Sequence, residues 1–189
     1  KGTVLDQVFR FITYMGMNNH LDFKMSYGLR MGLLKLFEYN REDFFALSKD
    51  KNYFLPGAKE FIDYFNGIPK VMLSGGVLED ALQSAAYLGI EMVIANDAGF
   101  DNEGRLKKTP HAYVNGNKGK IVNVLKKYFS FLYGGGDSGT DIGILEEVDI
   151  FVAGPRSKSK LIDIAKQNPN AIIIPYEESL CYALDKINR

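Results

Sequence analysis

A single cysteine, Cys181, stands in 189 residues, so no internal disulfide can form. A disulfide-stapled secreted module is thereby excluded, and a reducing cytoplasm is the expected setting. Long apolar runs are missing too. None approaches the roughly 18 residues of a membrane span, and no secretory leader is expected at the start. The chain reads as soluble and cytoplasmic, with no membrane partner. Charge of one sign is also lacking, since 23 basic residues face 23 acidic ones for a net charge of zero. Without a long-range positive field, nucleic acid is not an expected partner. The pairs Lys107 and Lys108, Lys118 and Lys120, and Lys126 and Lys127 read as solvated faces, Lys118 excepted. Histidine is scarce, and His20 and His111 lie too far apart in sequence to imply a metal pair. No Gly-x-x-x-x-Gly-Lys-Ser/Thr loop occurs, which weakens a nucleotide-binding reading of the glycines at 134–136.

What is present suits one globular domain with a small insert: 46% hydrophobic and 24% charged residues. A chain of this length buries roughly two thirds or more of its unfolded surface and needs no staple. Apolar residues at Val4, Leu5, Val8, Phe9, Phe11, Ile12 and Met15 follow a helical face. Helices are also expected over residues 26–39, and over 42–48 after an Asn40 cap. Phe37, Phe44 and Phe45 read as packing between these helices, and Gly28 and Gly32 as sites of close helix approach. From Pro56, placed in a first helical turn, the pattern alternates between helices and short apolar runs, with Gly67 and Gly89 as helix stops. The runs at 71–73, 92–95, 129–133, 150–153 and 171–174 read as parallel strands; helices are expected near 118–128, 158–166 and 177–186. Residues 96–106 carry the turn chemistry of short hairpin strands. Cys181 falls in the last helix and reads as packing.

In parallel sheets, ligands collect beyond the carboxyl ends of the strands. Ser74 closes one run and precedes Gly75 and Gly76, which suits an anion cradle; a plain cap for the following helix is the alternative. Asp137 and Asp141 flank a turn after another run. Two carboxylates there can hold a hard cation such as Mg²⁺, or one can cap the helix beginning at Ile142.

Taken jointly, Val71-Met-Leu-Ser74-Gly-Gly, Lys118-Gly119 and Gly136-Asp-Ser-Gly-Thr-Asp141, in this order and spacing, resemble the haloacid dehalogenase-like (HAD) phosphohydrolases, especially their phosphoserine phosphatase-like branch. The turn-rich Asp101–Leu106 segment before the lysine agrees with it. The resemblance implies an α/β fold: a parallel-sheet, Rossmann-like core over residues 1–7 and 56–189, with a small helical cap over 8–55 inserted after the first motif. It further implies that Ser74 and the Gly75 N–H bind phosphoryl oxygens, that Lys118 neutralises nucleophile and phosphoryl group, and that Asp137 ligates Mg²⁺. Asp141 would fix Lys118 or the metal's surroundings. Thr140, where relatives often carry Asn, would be an altered substrate contact.

The family's first motif, Asp-x-Asp-Gly-Thr, supplies the nucleophile and the acid–base carboxylate. Here only Gly2-Thr3 matches its tail, with Lys1 at the second Asp. A segment before Lys1 is expected, because without the strand that carries the motif the parallel sheet lacks its central member and leaves buried backbone groups unpaired. Lys1 could not act as the usual acid at neutral pH unless its pKa fell. Asp6, closing Thr3-Val4-Leu5-Asp6, is a competing nucleophile with a helical role as the alternative. Two functions follow from the resemblance. One is a Mg²⁺-dependent phosphatase acting on a small phosphorylated metabolite through an aspartyl-phosphate. The other is a catalytically impaired relative that binds a phosphorylated ligand in a regulatory role.

Overall fold

The computed structural model describes residues 3–17, 20–47, 54–106, 110–114 and 116–188. Lys1, Gly2, Lys107 and Lys108 lie outside them, and with them the readings that rest on those residues. In chain order the elements are helices α1 (Thr3–Met17), α2 (Phe23–Leu36), α3 (Arg41–Leu47) and α4 (Ala58–Tyr64), then β1 (Val71–Val77), α5 (Leu78–Leu88) and β2 (Met92–Asn96). There follow α6 (Lys118–Leu125), β3 (Tyr133–Gly136), a 3₁₀ turn (Gly139–Asp141), α7 (Ile142–Leu145), β4 (Ile150–Ala153), α8 (Ser159–Ala165), β5 (Ala171–Ile173) and α9 (Tyr182–Ile187). The contacts divide the chain into two units, Lys1–Tyr53 with Pro69–Asn115, and Phe54–Ile68 with Gly116–Arg189.

In the first unit, residues 3–6 are helical, so the reading of Thr3–Asp6 as a strand ending in a nucleophile is corrected: the helical spacing of the apolar residues wins. The close approach between α1 and α2 is at Gly16, not at Gly28 or Gly32, which have open space beside them among the described residues. A Cβ at Gly16 would stand 2.4 Å from Ser26 Oγ, and that hydroxyl donates to the Ile12 carbonyl at 3.0 Å. Asn40 caps α3 as expected: its side chain accepts from the Asp43 N–H, and the Asp43 carboxylate accepts from the Asn40 N–H. The aromatic packing differs from expectation. Phe44 meets Phe100 edge-on, with ring centroids 5.5 Å apart, while Phe37 is exposed. Tyr27, Met31, Leu34 and Phe44 thus share one core with Val77, Ala98, Phe100 and Leu106. The apolar residues of α2 and α3 pack on the end of β1 and on the segment that follows β2.

Strands β1 and β2 pair in parallel from Val71↔Met92 to Ser74↔Ala95, after which the register shifts before Val77↔Asn96. Helix α5 makes the crossover and stops at Gly89, whose φ of 76° is the left-handed conformation glycine adopts freely. The hairpin segment is reduced to isolated antiparallel bridges, Asp97↔His111 and Phe100↔Leu106.

In the second unit β3, β4 and β5 form a parallel sheet. Strand β3 spans Tyr133–Gly136 rather than 129–133, so the glycines are in the strand and not after it. The reason is steric: a Cβ at Gly134 would lie 2.8 Å from Ile144 and 2.9 Å from Val148. Pro56 precedes α4 instead of opening it, because the left-handed Gly57 intervenes. Helix α9 is shorter than expected, leaving Cys181 half-buried at its start, where the thiol faces the Gly57 carbonyl. Phe61 of α4 packs with Val152, Ile174 and Ala183 beneath the sheet.

Helices α6 and α7 approach through a pair of glycines. A Cβ at Gly119 would lie 2.7 Å from the Gly143 carbonyl oxygen, a backbone atom that cannot rotate away. Gly119→Ala is therefore expected to cost about 1–3 kcal/mol in urea unfolding, by forcing the helices apart. Because Lys118 begins α6, the same shift displaces its side chain.

Candidate active site

Each unit carries one group of the expected site residues. Ser74 and Gly75 belong to the first, Lys118, Asp137, Thr140 and Asp141 to the second.

In the first unit Ser74 is the last regularly paired residue of β1. Its hydroxyl oxygen accepts from the Gly76 N–H at 3.0 Å. It does not cap α5, whose N-cap is Val77 with no side-chain bond, so the cap reading is corrected. The hydroxyl proton stays available to donate, since an oxygen that accepts one bond can still give one. Asn96, fully buried at the end of β2, holds this loop from behind: its amide donates to the Gly75 carbonyl at 2.9 Å and its oxygen accepts from the Val114 N–H at 2.9 Å. Nothing in the sequence marked Asn96, because an asparagine ending a strand reads as turn chemistry. Phe23 of α2 stands over Gly75, 3.7 Å from where its Cβ would be.

The same helix supplies a second residue missed in the sequence. The Arg30 guanidinium lies 5.5–5.9 Å from the ring centroids of Phe9, Phe23 and Tyr27, and its Nε donates to the Ser26 carbonyl. Among the described residues it has no carboxylate partner. Burial lowers its pKa, against the pull of Tyr27. A cation held between aromatic faces and left without an anion is suited to receive one. Tyr27 is 1% exposed, and its hydroxyl has no hydrogen-bond partner among the described residues.

In the second unit the acidic turn is built around Asp141. One carboxylate oxygen accepts from the backbone N–H of Asp137, the N–H of Ser138 and the Ser138 hydroxyl, each at 3.0 Å. The other accepts from Lys118 Nζ at 2.6 Å. Both partners are buried, at 8% and 3% exposure. The side chain of Asp141 therefore closes the turn and fixes the lysine, and the alternative that it caps α7 is corrected. Ser138 and Asp141 form a capping box around the 3₁₀ turn. The Thr140 hydroxyl bonds to Ser138 Oγ at 2.8 Å.

Asp137 is left facing solvent at the end of β3. Although the residue reaches solvent, partial loss of water around its carboxyl raises its pKa, and the Asp141 charge pushes the same way, against Lys118 and Lys158. A carboxylate so placed costs stability when ionised, a cost that vanishes as pH falls through its folded pKa. Such a group suits a hard cation, which replaces the missing positive charge. Among the described residues no three His, Cys, Asp or Glu side chains cluster. Asp137 offers a hard cation one carboxylate here, since both oxygens of Asp141 are engaged within the turn and with Lys118. Asp137→Asn is expected to raise the melting temperature of the metal-free protein by about 1–3 °C. Scanning calorimetry should also show that the same change removes most of any Mg²⁺-induced stabilisation.

His111 stacks on Tyr113 and pairs through its backbone with Asp97.

No protein-family model and no curated protein sequence matches the chain. Solved structures do. A phospho-aspartyl intermediate analogue of phosphoserine phosphatase superposes with a TM-score of 0.75 at 22% identity, over 95% of this chain and 85% of that one. A phosphoserine phosphohydrolase-like protein from Francisella tularensis matches with a TM-score of 0.69 at 18% identity, over 89% and 81%. A HAD family hydrolase from Salmonella enterica gives 0.74 at 18%, over 93% and 60%. The chain has the α/β fold of the HAD-like hydrolases. Phosphoserine phosphatases are among its structural neighbours.

Proposed function

We propose that the protein is a Mg²⁺-dependent phosphatase of small phosphomonoesters, working through an aspartyl-phosphate whose nucleophile lies just upstream of Lys1. The observation that carries this reading is the buried Lys118–Asp141 pair closing the turn that presents Asp137. Phosphoryl transfer asks mostly for positioned charge on oxygens, and this turn supplies a rigid lysine and a solvent-facing carboxylate. A neighbour captured as a phospho-aspartyl intermediate analogue supports the covalent route.

In this reading Asp137 holds Mg²⁺, which supplies charge compensation to the phosphoryl oxygens. Ser74, oriented by Gly76, and the Gly75 N–H donate to those oxygens. Lys118 compensates the nucleophile and the phosphoryl group. Thr140, its hydroxyl bonded to Ser138, contacts the substrate through the hydrogen-bonding capacity that this bond leaves free. Residues 8–55 take the part of the family's cap, residues 1–7 and 56–189 that of its core, and the setting is cytoplasmic. Arg30 receives a second anionic group on the substrate, so the preferred ester carries one. Arg30→Ala is then expected to raise KM about tenfold or more for a carboxylated phosphomonoester, with kcat little changed and a neutral ester unaffected.

The test is phosphate release from a phosphomonoester panel, with and without Mg²⁺, by the protein with the residues that precede Lys1. Turnover that needs Mg²⁺ and is lost in Asp137→Asn, a variant expected to fold, supports the enzyme. Phosphomonoester binding without turnover would establish the regulatory relative, which the lysine at position 1 favours.

A further inference from the structure

The backbone that carries Asp137 is held by a segment some twenty residues further on. The Gly154 N–H donates to the Gly136 carbonyl at 3.0 Å, and the Ser157 hydroxyl donates to the same oxygen at 3.3 Å. The Lys158 N–H donates to the Asp137 carbonyl at 2.7 Å. Gly154 and Pro155 are buried, and Ser157 N–H closes back on the Gly154 carbonyl at 3.1 Å. These bonds form a clasp between the end of β4 and the start of α8, and they tie the Lys158 backbone to that of Asp137. Both side chains face solvent. The ammonium of Lys158 acts on the Asp137 carboxylate, in the same sense as Lys118. Unlike Lys118, it is not committed to Asp141.

Resting on the metal reading of Asp137, we infer that Lys158 is a specificity-determining residue of that site, whose ammonium disfavours a bare divalent cation and favours a cation accompanied by phosphate. The sign follows from Coulomb's law. Lys158 repels an ion bound at Asp137 and attracts the phosphoryl anion that would sit beside that ion. A site with this extra charge fills with metal and anion together. A purely structural residue would change both affinities in the same direction.

Lys158→Met keeps the backbone N–H, and with it the bond to Asp137, while removing the charge. The experiment titrates the wild-type protein, Lys158→Met and Lys158→Arg with Mn²⁺, followed by the electron paramagnetic resonance of the free ion. Inorganic phosphate is then titrated calorimetrically at saturating Mn²⁺. In low salt, Lys158→Met is expected to bind Mn²⁺ about two- to fivefold more tightly and phosphate about three- to tenfold more weakly. Lys158→Arg is expected to match the wild type, and raising the salt should shrink both differences. Equal affinities in all three proteins, or losses of both affinities in Lys158→Met, would overturn the inference while leaving the metal site standing. Wild-type protein that binds no Mn²⁺ would remove the metal reading and this inference together.

Discussion

Replacing Lys118 by methionine is expected to destabilise the second unit by about 3–5 kcal/mol, the cost of leaving a buried charge without its partner. Asp141 would keep its three donors from Asp137 and Ser138, but its second oxygen would lose the ammonium that now donates to it. Those three bonds hold the turn and remain in the variant, so the loss falls on stability and on the fixed position of the Asp141 carboxylate's second oxygen. Urea unfolding of Lys118→Met, Asp141→Asn and the double variant separates the contributions. A coupling energy of about 2 kcal/mol or more between the two positions is expected for a pair in direct contact. Strict additivity would mean that the lysine stabilises the turn only through packing of its stem.

Gly136→Ala is expected to cost about 3 kcal/mol and to abolish divalent-ion binding at Asp137. Its Cβ would lie 2.4 Å from both Cβ and Cγ of Asp141 and 2.7 Å from Oδ2. Overlap of that kind normally relaxes when a side chain rotates. Here Asp141 is anchored at both oxygens, so the turn must open or β3 must move. Calorimetric unfolding together with a Mn²⁺ titration checks both effects. A variant with native stability and native Mn²⁺ affinity would show that the turn is far softer than four hydrogen bonds to one carboxylate imply.

Much of the candidate site was legible residue by residue. Lys118, Asp137 and Asp141 stand in the order and spacing of a known motif; Asp141 was expected to fix Lys118 or the metal's surroundings, and its carboxylate pairs with Lys118. Other parts left little trace in the sequence. Asn96 and Arg30 act through contacts set by α2, β1 and β2, and neither lies in a pattern with a period. The role of the glycines was read as turn chemistry. At Gly134 and Gly136 it is instead the absence of a side chain against α7 and Asp141, which no local rule reveals. Gly16 was passed over and Gly28 and Gly32 singled out for the same reason: spacing shows which residues share a helix face, not which face meets another helix.

What the sequence by itself determined is the alternation of short apolar runs with helical stripes, which demands a parallel sheet covered by helices, and the identity of the charged residues in the turn after β3. Those follow from period and from residue chemistry, both local properties. Only the tertiary structure decided that Lys118 reaches Asp141, that Asp137 is left facing water, and that the segment 154–158 clasps the turn. Each of these depends on close packing between elements far apart in the chain. Side-chain volume and hydrogen-bond geometry select one arrangement there, and hydrophobic patterning alone would allow several.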